Sequence, residues 1–454
     1  MKKSGHEHFK TKLGFIAAAA GSAIGLANIW RFPYLAAQNG GAVFIFTYII
    51  FLFLLGIPIL ITEISIGRHG QTSVDGALYK ITHKKTWKQI GKIQILTGFL
   101  ISSFYSVVAG WILGYLVESF LGNISHQASF QSAEAQFQTF LATPTWTLSY
   151  HLIFIVLCAY VLLGGVKKGI EWVSKSLIPL LFLLFVFLTI MGLANLDDPK
   201  QLDFLFTPDW SKLTPRALLL ALGQAFFTLS LGQGTMITYG GYLKKKENVV
   251  GSCVYIAGFD LLAAILSILT IFSIAGVNEA LTHSGPGLIF SVLPVAFSRI
   301  VGGNLFAILF FVLVAIAALT SQISAMEPLI CYLQEQKKWT RKASTWFCAL
   351  GAFIIGIPSA LSFSLFKHVT LFNQTFFDLL SFVTLNFMVP LGGFVACILA
   401  GYVWGPKNVL KELEMHMHLS PISQKLYAIY FKAIWKFIAP VLIIFILLDA
   451  FNIF

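Results

Sequence analysis

The stretch Ala20-Gly21-Ser22-Ala23-Ile24-Gly25-Leu26-Ala27-Asn28-Ile29-Trp30-Arg31-Phe32-Pro33 lies inside a long apolar segment, yet it carries two glycines, an amide, an arginine and a proline. Each of these weakens a helix or is costly to place in lipid. Composition decides whether lipid is the setting at all. Of 454 residues, 57% are hydrophobic and 11% charged, too few polar side chains to cover a soluble globule of this size. The fold class is therefore an all-α integral membrane protein.

A hydrocarbon core of about 30 Å takes roughly 20 residues at about 1.5 Å each, and about eleven such apolar runs recur along the chain. They lie near 12–37, 41–69, 90–121, 147–164, 170–193, 214–241, 249–276, 304–334, 343–362, 374–402 and 427–452. Lys2, Lys3, Lys10 and Lys12 precede the first run without a cleavable leader pattern, so that run is expected to stay as a span. Further along, Lys80, Lys84, Lys85 and Lys88, then Lys167 and Lys168, Lys244 to Lys246, Lys337 to Lys342, and Lys407, Lys411 and Lys425 fall in alternate loops. By the positive-inside bias those loops and the N-terminus are cytoplasmic and the C-terminus lies outside a bacterial-type inner (plasma) membrane. The other loops agree: 122–146 has no Lys or Arg, and 194–213 carries Asp197, Asp198, Asp203 and Asp209. The net charge of +12 is thus a topology signal, and nucleic-acid binding is not expected.

Other chemistries find little support. Cys158, Cys253, Cys331, Cys348 and Cys397 sit in or at the ends of spans without a C-x-x-C pair, and His6/His8 and His416/His418 read as solvated tail or loop residues. There is no H-E-x-x-H, G-x-S-x-G or Walker loop, so an enzyme is not indicated. What remains is a short set of intramembrane ionisable residues, Arg31, Glu63, Glu118, Asp260, Glu327 and Asp378, each a functional candidate because its burial in lipid costs about 2.5–3.5 kcal/mol.

Gly21 and Gly25 are four apart and would also suit a small-xxx-small packing face. A second stretch favours a broken helix instead. The sixth span reads GQAFFTLSLGQGTMITYGGY from Gly223 to Tyr242, with Gly232 and Gly234 among Thr228, Ser230 and Gln233. Glycine-broken spans in positions one and six predict a 5+5 inverted repeat with the substrate site between the breaks. The corresponding division is a tail over 1–11, a first repeat over 12–193, an outer loop over 194–213, a second repeat over 214–402, a cytoplasmic loop over 403–426 and a last span over 427–454. Where a helix unwinds, its carbonyls suit sodium and its amides suit a carboxylate.

GSAIGLANIWRFPYLAAQNGG, FFTLSLGQG and AALTSQISAMEP, in this order and spacing, resemble the neurotransmitter:sodium symporters, bacterial amino-acid branch, with the leucine-transporter fold. The resemblance runs from about Phe9 to the end of the last span. It implies a Na+-coupled importer of neutral α-amino acids working by alternating access, with two sodium sites. For the first it implies Ala23, Asn28, Thr228 and Asp260. For the second it implies the carbonyls of Gly21, Ile24 and Ala317 with the hydroxyls of Thr320 and Ser321; without the family these two hydroxyls could equally bond back to their own helix. Substrate-lining positions by the same resemblance are Ser22, Ala23, Gly25, Leu26, Ala27, Ile101, Tyr105, Phe227, Thr228, Ser230, Gln233, Ser321 and Ala325, with Tyr105 holding the carboxylate and Phe227 as an aromatic lid. Alone, a span tyrosine would more often be packing.

Several positions depart from the family pattern. Asp260 stands where an asparagine ligand is usual, and a fixed carboxylate there predicts chloride independence; the other reading has Asp260 protonated or bonded to nearby hydroxyls without ion contact. Tyr48 and Gln224 match positions near the family's chloride site, whereas Ala264 replaces its serine. Arg31 resembles the outer-gate arginine, but the acidic partner aligns with Ser381, with Asp378 one turn earlier, so the pair is weakened or re-formed. At the inner gate His6, with its ordinary pKa of about 6.5, replaces the arginine; Phe9 matches a tryptophan, Glu335 an acid and Tyr242 a tyrosine. A mobile tail without such a pair is the alternative. Gly25 occupies the place of the amine carriers' aspartate, which favours a substrate with its own carboxylate. Rival readings are a channel or sensor, or a carrier of betaine-like solutes. Oligomeric state leaves no signal in the sequence.

Overall fold

In a computed structural model, the described residues are 7–124, 127, 129–196, 198–276, 285–414 and 421–450. Nine helices in it are long and apolar enough to cross a membrane, and one bent pair adds a tenth. The unbroken spans are Ala42–Gly70, Lys85–Phe120, Pro144–Leu163, Val166–Ala194, Val249–Ala275, Gly303–Gln336, Arg341–Leu361, Phe376–Val403 and Lys425–Asp449. The first span is Lys12–Ala23 followed by Ala27–Gln38, bent by 55°. The sixth falls into two short helices, Pro215–Phe227 and Thr235–Gly241, separated by residues 228–234. Among the described residues the only β pairing is an isolated bridge between Leu371 and Gln374.

Prolines explain much of the irregularity. The π turns Ala27–Arg31, Leu52–Gly56, Leu288–Val292, Phe382–Met388 and Ile434–Ile438 each end just ahead of Pro33, Pro58, Pro294, Pro390 or Pro440. A proline has no N–H to give and its ring collides with the carbonyl a turn earlier, so the hydrogen-bond register slips by one residue there instead of breaking the span.

Packing places the two broken spans at the centre. Lys12–Ala23 lies against the fifth, seventh and eighth spans, and both halves of the sixth lie against the second. The third and eighth spans pack along each other and form the opposite wall. The third is 36 residues long, about 54 Å at the helical rise and so longer than the hydrocarbon it crosses. Loops add helices at Val74–Thr82, Phe130–Ala142 and Pro406–Glu414. All five cysteines are buried and free.

Candidate functional site

The first break is short. Helix ends at Ala23, Ile24 takes an extended ψ of 92°, and the chain is helical again from Leu26. Ser321 from the eighth span reaches this gap, its Oγ lying 3.3 Å from the Gly21 carbonyl, 3.2 Å from that of Ser22 and 3.3 Å from that of Ile24. These are the carbonyls that a continuous helix would have bonded internally. Thr320, beside it, donates back to the Ile316 and Ala317 carbonyls at 3.1 and 3.2 Å, and its Cβ would lie 3.0 Å from a Cβ placed on Gly21. Gly21, Ile24, Ala317, Thr320 and Ser321 thus share one neighbourhood of backbone and hydroxyl oxygens.

Gly25 makes a close approach: a Cβ there would meet Ser321 Oγ at 3.0 Å, a tight contact, and the Tyr105 hydroxyl at 3.6 Å. The Tyr105 hydroxyl is buried without a hydrogen bond to any described residue, with Ser321 and the Leu26 amide close by. An oxygen acceptor placed between Gly25, Tyr105 and Ser321 would satisfy it.

The second break is longer and sharper. Ser230 (φ 53°), Gly232 (φ 78°) and Gly234 (φ 81°) take left-handed conformations, and a Cβ on Gly232 would collide with the Val389 carbonyl, so only glycine fits there. The freed Gly232 N–H donates to Glu63 Oε1 at 2.7 Å; leaving such a buried donor unpaired would cost about 1–3 kcal/mol. Glu63, one of the acids singled out above, therefore props up the break from the second span.

Between the breaks lies a buried polar cluster. Asp260 Oδ1 accepts from Asn28 Nδ2 at 2.8 Å and from Thr228 Oγ1 at 2.7 Å, and Asp260 Oδ2 accepts from the Tyr48 hydroxyl at 3.0 Å. Thr228 also lies 3.3 Å from Asn28 Oδ1. Gln224, nearby in the sixth span, has neither amide atom bonded among the described residues. Three donors face Asp260 here, so the departure from asparagine is accommodated by its neighbours.

A cavity of about 460 Å³ joins these pieces. Every residue named above as substrate-lining borders it: Ser22, Ala23, Gly25, Leu26 and Ala27; Ile101 and Tyr105; Phe227, Thr228, Ser230 and Gln233; Ser321 and Ala325. Trp30, Arg31, Phe377, Ser381 and Asn386 border it too. The Arg31 guanidinium lies 5.6 Å from the Phe227 ring centre, a cation–π contact, and has no carboxylate partner among the described residues. Asp378 is engaged elsewhere, its carboxylate accepting from Thr375 Oγ1 at 2.7 Å and its N–H donating to the same oxygen. A second cavity of about 410 Å³ shares Ser381, Leu385 and Asn386 and continues past Gln374 and Asp378.

The opposite end is closed. His6 lies outside the described residues, but Phe9 is 2% exposed and packs edge-on against Phe15, Tyr239 and Tyr242. Its N–H bonds the Tyr242 carbonyl at 3.1 Å. The Tyr242 hydroxyl donates to Glu327 Oε1 at 2.7 Å, and Arg341 grips both Glu327 oxygens at 2.7 Å each. Glu171 receives the Lys10 and Thr11 amides and the Thr11 hydroxyl. Glu335 accepts from Thr72 and the Ser73 N–H. In sequence Glu327 is visible as an acid inside a span; Arg341 reads as a loop charge, and its partnership becomes visible only when the eighth and ninth spans are side by side.

These features have counterparts in known proteins. The sodium:neurotransmitter symporter family matches residues 6–137 and 136–454. The chain belongs to that family. A sodium-dependent transporter of Bacillus subtilis (strain 168), YhdH, is 37% identical over 98% of this chain and 97% of its own length. One from Haemophilus influenzae is 32% identical over 97% of both. The crystal structure of MhsT in complex with L-phenylalanine matches with a TM-score of 0.88 at 38% identity, covering 98% of this chain and 100% of MhsT. The molecule is therefore a sodium-dependent, multi-pass membrane transporter with the broken-helix fold, and not an enzyme.

Proposed function

We propose that the transporter imports neutral α-amino acids with sodium by alternating access, using two sodium sites and no chloride. The observation that carries this reading is the cavity between the breaks, lined by Ser321, which reaches the carbonyls released at the first break, and by Thr228, through which it adjoins the buried cluster of Asn28 and Asp260. One sodium would take the carbonyl of Ala23 with Asn28, Thr228 and Asp260; the other would take Gly21, Ile24, Ala317, Thr320 and Ser321. The substrate carboxylate would lie between Gly25 and the Tyr105 hydroxyl and complete the first site, so that each ligand strengthens the other's binding, a coupling that is reciprocal. Asp260 with its three donors would supply the negative charge that chloride supplies elsewhere. The L-phenylalanine bound in MhsT supports an α-amino acid as cargo.

The chain would sit in a bacterial-type inner membrane, its N-terminus and basic loops cytoplasmic and its C-terminus outside, with 12–193 and 214–402 as the two repeats, 1–11 as a tail, 194–213 and 403–426 as connecting loops and 427–454 as the last span. Uptake of the neutral amino acids into proteoliposomes tests this, comparing an inward sodium gradient with potassium on both sides, in chloride and in gluconate. Concentrative, sodium-dependent uptake that is equal in both anions is expected, with Asp260→Asn acquiring a chloride requirement. Sodium-dependent binding without accumulation would make the molecule a sensor.

A further inference from the structure

Besides Tyr105, a second polar side chain bordering the cavity, Gln233, has no hydrogen-bond partner among the described residues. Gln233 is 8% exposed, borders the cavity, and its amide makes no hydrogen bond to any described residue while remaining open to water. Its backbone is pinned from both sides: Gly232 and Gly234 hold their left-handed turns, and Glu63 holds the Gly232 N–H. The hydroxyls around it are already engaged. Ser22 Oγ and Ser324 Oγ pair at 2.6 Å, Ser230 Oγ donates to the Ser22 carbonyl at 2.8 Å, and Thr235 Oγ1 donates to the Ser324 carbonyl at 3.3 Å.

Position tells which part of a ligand this amide would meet. The Gln233 and Ala325 carbonyls lie 2.9 and 3.1 Å from a Cβ placed on Gly98, which sets Gln233 level with Gly98 on the third span. Tyr105, at the carboxylate end, is two turns further along the same helix, about 10 Å away at the helical rise. Ile101 and Phe104 provide the apolar wall in between. Arg31, the only charged residue among those bordering the cavity, belongs to the half-helix beyond the first break.

We propose that Gln233 reads the tip of the substrate side chain, so that the transporter prefers neutral α-amino acids with an apolar body ending in a neutral hydrogen-bonding group over their hydrocarbon or thioether isosteres. This rests on the amino-acid reading of the cavity given above. A phenol or a carboxamide at that depth pairs with the Gln233 amide. A phenyl or thioether tip expels the water from that amide and leaves it unpaired, the situation in which a polar site discriminates most strongly. A charged tip meets no counter-charge there.

Competition for sodium-driven uptake in proteoliposomes is the test, pairing tyrosine with phenylalanine and glutamine with methionine. In the wild type the polar member of each pair is expected to compete at a concentration about tenfold lower or less. In Gln233→Met and Gln233→Leu both ratios fall to within about twofold of unity or invert, with the half-maximal sodium concentration unchanged. Equal competition within both pairs in the wild type overturns the inference even if neither variant inserts, as does a preference that survives in Gln233→Met. Sodium-driven uptake without tip discrimination removes this inference alone; no sodium-driven uptake of any of the four removes the amino-acid reading with it.

Discussion

The two ends of the cavity are closed by different chemistry. At the Phe9 end the seal is made of buried charge: Glu327 held by both Arg341 nitrogens and by Tyr242, with a tail packed over them. At the Arg31 end there is a guanidinium over an aromatic ring, a serine, Ser381, on the cavity wall, and Asp378 occupied by Thr375. A buried pair is strongly two-state, because removing one partner strands the other, whereas a half-buried cation–π contact is worth about 0.5–2 kcal/mol and leaves no charge stranded when it parts. On the proposed alternating-access reading, the difference teaches that the first end would hold the conformation and that the second would be the one to move.

The largest effect is expected where this contrast is greatest. Arg341→Ala leaves Glu327 buried without its guanidinium, which should cost about 3–5 kcal/mol and lower thermal stability in detergent, with uptake largely lost. Adding Glu327→Gln to that variant should recover part of the loss; single variants that melt like the wild type would show that the seal lies elsewhere. Next, Thr320→Ala with Ser321→Ala removes the hydroxyls between the two ends. The half-maximal sodium for uptake should rise about tenfold while the same amino acids compete, and an unchanged sodium curve would remove the second ion site.

Smaller effects sharpen the comparison from each end. Ser381→Asp gives Arg31 an acidic partner in the tenth span, and a pair of this exposure should add up to about 1 kcal/mol of stability and slow turnover a few-fold. Unchanged turnover would mean that pairing does not govern the Arg31 end. The smallest expected effect is a change of slope with pH, separate from the offset that Glu412→Gln itself brings by leaving the buried Arg68 without its carboxylate. Glu412, on Pro406–Glu414, is buried, which by itself raises its carboxyl, but the hydrogen bond from His69 and the charge of Arg68 outweigh that and hold it below its ordinary value. A lowered carboxyl contributes stability above the ordinary carboxylate range and loses it as pH falls through the lowered value, so the acid limb of a melting profile, below about pH 4, should flatten in Glu412→Gln.

Much of this could be read beforehand. The spans are visible because lipid demands runs of about 20 apolar residues whatever their neighbours, and the predicted extent 41–69 compares with Ala42–Gly70 in the structure. Both breaks are visible because glycines at membrane depth weaken the same helices that lipid otherwise enforces. The loop helix Phe130–Ala142 was not, since loops answer to no such period. The Glu327–Arg341 pair was not, since one partner sits in a span and the other beside lysines in a loop.

By itself, then, the sequence determined that the chain crosses the membrane, where two of its helices break and which residue types line those breaks, because these follow from local composition against a uniform solvent. Only the tertiary structure decided which oxygens face one another. Ser321 and Gly21 are 300 residues apart, as are Asn28 and Asp260 by 232, and no local rule brings them within hydrogen-bonding distance. Their meeting depends on how the first, sixth, seventh and eighth spans pack, and packing is a property of the whole bundle.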